Sequence, residues 1–597
     1  MTVYNLGPGN NAFVVPGTTN DQVFGEDGND SIYSDTGSDD LFGGNGDDYL
    51  YDGSAGDLNH YYGGEGNDQI FGGPGDFGDI VDGGIGIDRI SLHYGAISGF
   101  PLSVTMGSAF YVLLGGARAI NVQNVEALTI FCTDSGDQVT GGAYDDVIYS
   151  FNGNDTLAGR GGNDSFVLGT SGTFLVDGNG GDDKVTVSFA AATGGIQLET
   201  GTDTSITVGA LSVQFRSIEV LDVRTGSGSD TIRGGTLGDR IDTGAGDDLI
   251  TAGAGDDTIL SGIGADVIYA GVGNDTVNSG SSGDPGTVGK TIFGGDGDDQ
   301  LGGFNRADMI RGDAGNDRLF GGGGNDSILG GAGNDTIQGG GNDASVSFAG
   351  GAGNDVVYVS VDINPDQVSG SSGTDTLVAE LEFNSNRNRV METGFAPGGY
   401  RITVDGVQVM LASGFEMVNI TGGTKADVLV GGEGNDTLRG FGYNGDAADT
   451  DSLSGGAGND LLFGMAGNDT LNGGKGDDRV VGGLGIDMVT GGDGADVFAI
   501  EAVVPGAGLA NRDRVRDFVQ GTDRIDLSLL DANTLTPGVN DAFDFVEATA
   551  FSAVGQVRAE TAGGLTTVTG DVNGDGVVDF MFVLDGVFTL TDADFLL

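Results

Sequence analysis

Apolar positions recur every nine residues through much of this chain. The pattern is clearest between Gly455 and Ala499, where five words follow one another without a gap: GGAGNDLLF, GMAGNDTLN, GGKGDDRVV, GGLGIDMVT and GGDGADVFA. Position eight is apolar each time (Leu462, Leu471, Val480, Val489, Phe498). Position six is always aspartate (Asp460, Asp469, Asp478, Asp487, Asp496). The first six residues of a word predict a turn, because Gly at positions one, two and four permits backbone angles that a side chain forbids. The last three predict a very short strand whose central residue points inward, since strand side chains alternate. Two words make one coil of a flattened solenoid. The pattern therefore predicts an all-β fold, a right-handed parallel β-roll solenoid of stacked nonapeptide turns.

The same register runs elsewhere. Residues 225–278 hold six words, with Asp230, Asp239, Asp248, Asp257, Asp266 and Asp275 at position six. Residues 294–338 hold five, with Asp299, Asp308, Asp317, Asp326 and Asp335. Shorter runs cover 25–51 (Asp30, Asp39, Asp48) and 132–167 (Asp137, Asp146, Asp155, Asp164). Isolated or paired words place Asp68, Asp79, Asp88, Asp183, Asp355, Asp375, Asp427 and Asp436.

The period lapses three times, in stretches poorer in Asp and richer in β-branched and aromatic residues. Each contains two alternating apolar runs joined by a glycine turn, the signature of a β-hairpin. In the third, Asp405-Gly406 joins Tyr400, Ile402 and Val404 to Val407, Val409 and Leu411, a strong hairpin signal. Gly116 to Glu126, Gly209 to Glu219 and Gly406 to Glu416 are each ten residues, and each glutamate lies eleven residues before a repeat Asp (Asp137, Asp230, Asp427). The glutamates sit in apolar settings: VEAL, IEVL and FEMV. Three copies of a larger module follow from this spacing. Each glutamate is expected to pair with a backbone amide or basic side chain where the insert rejoins the roll, since no partner acid, base or nucleophile recurs with it. The expected organisation is a lead-in (1–22), roll (23–91), insert (92–131), roll (132–186), insert (187–224), roll (225–376), insert (377–421), roll (422–499) and a β-rich carboxyl-terminal cap (500–597).

Composition adds the chemistry. Asp and Glu number 88 against 24 Lys and Arg, a net charge of −64. Such a surface is a poor partner for nucleic acid and for anionic membranes. It also opposes compaction unless cations neutralise it. Stacked turns put Asp carboxylates and carbonyls around each gap between coils. Hard oxygen ligands of this kind suit Ca²⁺ rather than zinc. The Asp residues named above, apart from Asp79, Asp137, Asp183, Asp375 and the turn residue Asp405, are the candidate metal ligands; no other cofactor is expected. Cys132 is the only cysteine, so no intrachain disulfide forms. The segment MTVYNLGPGNNAFVV has neither the basic start nor the apolar core of an ordinary signal peptide. No apolar stretch is long enough for a membrane span.

Catalytic signals are missing. With only His60 and His93, an H-E-x-x-H zinc helix cannot form, and no G-x-S-x-G elbow occurs. GDPGTVGKT (Gly283 to Thr291) imitates a phosphate loop, but its first Gly is one residue too early and no strand-to-helix context surrounds it. Position three varies (Ala457, Ala466, Lys475, Leu484, Asp493), which denies the flat threonine row that ice binding needs.

After Ala499 the words stop. The spacing Asp571, Asn573, Asp575, Gly576, Asp579 resembles the first half of an EF-hand loop, with Phe582 where the bidentate Glu belongs. The repeats resemble those of RTX (repeat-in-toxin) proteins over most of residues 20–499. The tail is similar to the carboxyl-terminal cap of serralysin-type members in Asp517-Phe518, Gly521, Asp523, Ile525-Asp526-Leu527, Asp575-Gly576, Asp579-Phe580 and Asp594-Phe595-Leu596-Leu597. The resemblance implies an uncleaved signal for a type I exporter. Repeats begin by about residue 23, which leaves out the protease, lipase, cyclase or epimerase module often found in such proteins. The expectation is a non-enzymatic secreted protein, extended in low cytosolic Ca²⁺ and folded by Ca²⁺ outside. Its role would be structural, at the cell surface or in an extracellular matrix or surface lattice, with itself or a cell-surface polysaccharide as partner. The alternatives are a calcium-dependent adhesin and a polysaccharide-active enzyme with its site on the inserts.

Overall fold

The computed structural model describes residues 1–34, 36–52, 57–72, 78–200, 204–208, 210–280, 289–340, 346–361, 366–381, 389–393, 399–404, 407–441, 450–500, 512–535 and 541–597. The turn residues Gly209, Asp405 and Gly406, and most of the phosphate-loop imitation (283–288), lie outside them. The chain divides into two units, Met1–Asp296 and Gly297–Leu597.

Each unit is a parallel β-solenoid. In the first, Ser31–Ser34 pairs in parallel with Tyr49–Asp52, and that strand with Gln69–Gly72. On the opposite wall Gln22–Asp27 pairs with Asp40–Asn45, and that strand with His60–Glu65. These partners lie 18 or 20 residues apart, and 18 is the spacing of uninterrupted words, so two words close one coil: Leu249↔Val267, Ile250↔Ile268, Thr251↔Tyr269. In the second unit Ser452↔Thr470↔Met488 and Leu461↔Arg479↔Val497 repeat the arrangement. The lead-in is itself a coil: Val3–Asn5 pairs with Gln22–Asp27, and Ala12–Val14 with Ser31–Ser34.

The core is the space between the two walls, filled by position eight. Ile32, Leu41, Leu50, Ile250, Ile259, Leu462 and Leu471 are completely buried. Because each coil contributes only two such residues, burial accumulates by stacking neighbours rather than within a coil.

The inserts stay within the sheet. In the first, Leu102–Thr105, Ala109–Leu114 and Ala117–Gln123 form an antiparallel meander of three strands, one more than the predicted hairpin. Its outer strands rejoin the ladder in parallel, Ala117–Gln123 on Asp79–Ile85 and Leu102–Thr105 on Gln138–Thr140. The third insert repeats this with Arg389–Thr393, Tyr400–Val404 and Val407–Ser413. In the second, Thr204–Val208 and Leu211–Arg216 form a hairpin, and Gln197–Glu199 pairs in parallel with Thr231–Arg233. The cap closes the second unit: Arg524–Asp526 and Arg512–Val515 extend the two walls, and Gln556–Ala562, Leu565–Asp571 and Phe580–Asp585 form an antiparallel finish.

Position two is left-handed where word stacks on word, as at Gly474 with φ +120°, though not at Gly142, Gly235, Gly423 or Gly432. Where it is not glycine the strain remains: Glu26 sits at +76° and Met465 at +75°. Glu26 is exposed. Glu26→Gly should therefore raise stability by about 1 kcal/mol, seen as a higher melting temperature by calorimetry in saturating Ca²⁺; an unchanged or lower value would refute the strain.

Candidate metal centres

Each repeat aspartate makes one fixed bond. Within a column its Oδ1 accepts the backbone N–H of the aspartate one coil earlier, and after an insert that of a strand residue such as Leu102 or Ile196, because the carboxylate folds back over the turn toward the preceding coil. Asp460 N donates to Asp478 Oδ1 at 2.8 Å, and Asp478 N to Asp496 Oδ1 at 2.9 Å. On the other edge Asp451, Asp469 and Asp487 are linked in the same way at 2.8 Å. In the first unit the column Asp30–Asp48–Asp68–Asp88 runs at 2.8 Å per link. Every expected ligand lies in such a column and none exceeds 2% exposure.

The second oxygen divides them. In Asp30, Asp48, Asp68, Asp88, Asp164, Asp257, Asp317, Asp335, Asp355, Asp460, Asp478 and Asp496, Oδ2 is buried with no hydrogen-bond partner. Asp183 and Asp375 share this state. In Asp146, Asp239, Asp427 and Asp436, Oδ2 instead accepts the position-two N–H of its own word, from Gly142, Gly235, Gly423 and Gly432. Asp137 does the same with Thr133. In Asp39, Asp155 and Asp230 a hydroxyl at position one (Ser34, Ser150, Thr225) donates to Oδ2. Asp266 Oδ2 takes the Lys290 ammonium at 2.5 Å. Asp487 faces the Asp513 carboxylate, and burial with this like charge drives the pair's proton affinity up. Asp248, Asp275, Asp299, Asp308, Asp326 and Asp469 hold their places in the columns through the same Oδ1 or N–H link.

What surrounds the unbonded Oδ2 atoms is oxygen. A Cβ added to Gly455 or Gly473 would overlap both the Oδ2 of its own word's aspartate and the carbonyl oxygen of Gly473 or Gly491 in the next coil. One on Gly474 or Gly476 would strike the carbonyls of Gly456 or Gly458. Glycine thus keeps open a space bounded by one carboxylate oxygen and several carbonyls. Among the described residues no three His, Cys, Asp or Glu side chains come together. A cation here must take most of its oxygens from the backbone, which suits Ca²⁺.

Burial makes these carboxylates poor anions. It raises Asp48, Asp68, Asp317, Asp460, Asp478 and Asp496 to about 6, with neighbouring carboxylates adding to the rise. Asp88, Asp164, Asp257 and Asp335 reach about 7 for the same reasons.

The three glutamates take the backbone-amide role expected of them. Glu126 Oε2 accepts Asp88 N at 3.0 Å, Glu219 Oε2 accepts Asp183 N at 3.0 Å, and Glu416 Oε2 accepts Asp375 N at 2.8 Å. Each ends a column where an insert interrupts it, and Leu128, Leu221 and Val418, two residues on, donate N–H to the first Asp of the next column. An open groove of about 550 Å³ lies beside the first insert, lined in part by Met106, Glu126, Tyr144 and Arg160.

Several column members escaped the nonapeptide pattern. Asp21 takes Thr2 N and gives its own N–H to Asp39; Asn59 stands between Asp39 and Asp79; Asp451 links Asp427 to Asp469. Asp366 caps Val346 N, and Asp523 caps Asp496 N. Their words lack the full set of glycines, keeping at most Gly17 in the Asp21 word and Gly521 in the Asp523 word, but an apolar inward residue two places on (Val23, Tyr61, Leu453, Val368, Ile525) was a readable signal. In the EF-hand-like loop, Asp571 Oδ1 accepts Gly574 N at 2.7 Å, its Oδ2 accepts Gly576 N at 2.9 Å, and Asp579 Oδ2 accepts Val572 N at 2.8 Å.

Stacked coils with carbonyl-lined carboxylates along their edges define a calcium-binding parallel β-roll. The chain carries RTX calcium-binding nonapeptide repeats: the model of that repeat matches residues 16–50, 56–90, 133–166, 224–259, 252–284, 302–337, 419–442, 447–480 and 473–499. Ca²⁺ is the ion of this motif. A search of curated proteins returns no match. Among solved structures, the R2 subunit of an Azotobacter vinelandii mannuronan C5-epimerase is similar at 24% identity over 29% of this chain and 92% of its own, with a TM-score of 0.16. The R3 subunit is similar at 25% identity over 29% of this chain and 80% of its own, TM-score 0.16. The extracellular lipase LipA of Serratia marcescens is similar at 14% identity over 54% of this chain and 45% of its own, TM-score 0.14.

Two outcomes follow. Burial lifts these carboxylates to about 6 to 7, above the ordinary aspartate value of 3.8, so protonation favours the metal-free roll. That stability is complete below about pH 4 and is lost as pH rises through 6 to 7. Metal-stripped protein should show more β-structure by circular dichroism at pH 5 than at pH 8; the reverse order would refute the buried carboxylates. Glu416→Gln should keep the Asp375 amide bonded and the fold stable, whereas Glu416→Ala should cost about 1–3 kcal/mol in denaturant unfolding. Equal stability of the two variants would show that the bond does not matter.

Proposed function

We propose that this protein is a secreted scaffold whose roll is assembled by Ca²⁺ after export. The observation that carries the reading is the set of buried Oδ2 atoms without a partner, repeated coil after coil beside backbone carbonyls. Asp460, Asp478 and Asp496 on one edge, with Asp30, Asp48, Asp68 and Asp88 in the first unit, are the foremost ligands. A bound Ca²⁺ supplies the charge that those carboxylates otherwise face alone. Without it, mutual repulsion and burial oppose folding, so metal binding becomes folding free energy. Cytosolic Ca²⁺ lies far below the ~10⁻⁴–10⁻³ M affinity typical of extracellular calcium modules. The chain would then stay extended until it leaves the cell. The tail that resembles serralysin-type caps is the candidate signal for a type I exporter. Among the described residues no helix is long and apolar enough to cross a membrane.

A structural role at the surface or in an extracellular lattice is favoured over catalysis on the inserts, because Glu126, Glu219 and Glu416 already hold backbone amides. The groove beside Glu126 and Arg160 gives calcium-dependent adhesion to a polysaccharide a place to act, and is the second reading.

Titration with Ca²⁺ should convert unordered protein to β-structure cooperatively. Asp478→Asn keeps an acceptor for Asp460 N and removes the buried charge; it should lower bound Ca²⁺ by about one or two ions per chain, read by elemental analysis after dialysis. Identical circular dichroism in chelator and in millimolar Ca²⁺ would sink the folding switch. Electron microscopy should show assemblies only with Ca²⁺; a monomer that binds no cell or polymer would exclude the scaffold role.

A further inference from the structure

One rung of the first unit is closed by a cation that the chain supplies itself. Asp266 is position six of the word 261–269, in the column that runs from Asp230 through Asp248. Thr291 pairs with Val267, so Lys290 stands opposite Asp266, where the next aspartate of the column belongs. No carboxylate reaches back from there. Instead the Lys290 ammonium lies 2.5 Å from Asp266 Oδ2 and donates to the carbonyls of Gly262 at 2.8 Å and Gly264 at 3.1 Å. Its side chain is 4% exposed and that of Asp266 is fully buried.

Positions two, four and six of one word thus converge three oxygens on one positive charge. The same positions bound the space beside Asp460, whose Oδ2 has no partner: a Cβ on Gly474 or Gly476 of the next coil would meet the carbonyl oxygen of Gly456 or Gly458, positions two and four of the Asp460 word. A buried lysine is rare unless paired, and three acceptors for three N–H donors is the arrangement that makes its burial tolerable. The contrast is with a rung such as Asp460: there the next register position holds Asp478 and Oδ2 has no hydrogen-bond partner, whereas at Asp266 a lysine in that position supplies one.

We propose that Lys290 takes the position of a calcium ion at this rung, so that the coil ending in Asp266 closes on the next without metal. The inference rests on the calcium reading of the neighbouring rungs. It gives the first unit one contact between coils that survives when Ca²⁺ is withdrawn, at Val267–Val272 against Thr291–Asp296.

The test uses the full chain and its Lys290→Asp and Lys290→Met variants. Bound Ca²⁺ per chain is measured after dialysis against millimolar Ca²⁺, with circular dichroism to verify folding. Lys290→Asp, which restores the repeat, should bind one ion more than wild type. Hydrogen exchange in chelator should find strands Val267–Val272 and Thr291–Asp296 slower than Ser452–Ala457 and Thr470–Lys475, and this difference should vanish in both variants. Calcium binding by wild type with no added ion in Lys290→Asp overturns the lysine inference alone. Wild type free of Ca²⁺ under the same conditions overturns the calcium reading itself. Should Lys290→Asp fail to fold, unchanged protection in Lys290→Met overturns the inference equally.

Discussion

The bond from each repeat aspartate to the amide one coil earlier organises everything else in this molecule. It fixes the stacking register, since Oδ1 of Asp496 reaches the N–H of Asp478 only if the words superpose at two-word spacing. It buries the carboxylate and leaves the second oxygen over glycine, facing carbonyls. The bond that builds the roll therefore also creates a demand for positive charge. Where the demand is met from within, the means are visible: a position-two amide at Asp436, a position-one hydroxyl at Asp230, an ammonium at Asp266. Elsewhere Oδ2 has no such partner, which is the demand that the proposed Ca²⁺ would meet.

Much of this was legible in the amino-acid sequence. The nine-residue word carries both the strand, through position eight, and the carboxylate, through position six; the parallel walls and buried aspartates follow. The spacing from Gly116 to Glu126 and its two counterparts disclosed a repeated junction, and the structure supplies its chemistry: a side chain one methylene longer than Asp caps the amide from a strand displaced by the insert. Less legible were words that lack most of the glycines. Asp21 and Asp451 hold column positions because their strands pair correctly, a property of neighbours in space rather than of the nine residues themselves.

The different fates of Oδ2 were not legible at all. The words of Asp436 and Asp478 read alike, GGEGNDTLR and GGKGDDRVV, yet the first aspartate bonds its own turn and the second does not. The difference is what lies one coil earlier. Asp436 follows an insert and caps Val418 of a rejoining strand, whereas Asp478 caps another repeat turn. The inserts thus interrupt the carboxylate columns as well as the period, and in the first and third the meander of three strands lets them do so without leaving the sheet.

The columns also have a direction. Among the described column links the amide is donated forward along the chain, to a side-chain oxygen that belongs to a later coil. A folded coil presents a finished acceptor to whatever packs against its amino-terminal side, while a coil added on the other side must carry its own acceptor into place. The solenoid is in this sense a one-way template: growth toward the amino terminus copies an existing surface, and growth toward the carboxyl terminus has to create one. At the far end Asp513 and Asp523, held by the cap, offer the first two acceptors from which such copying would start.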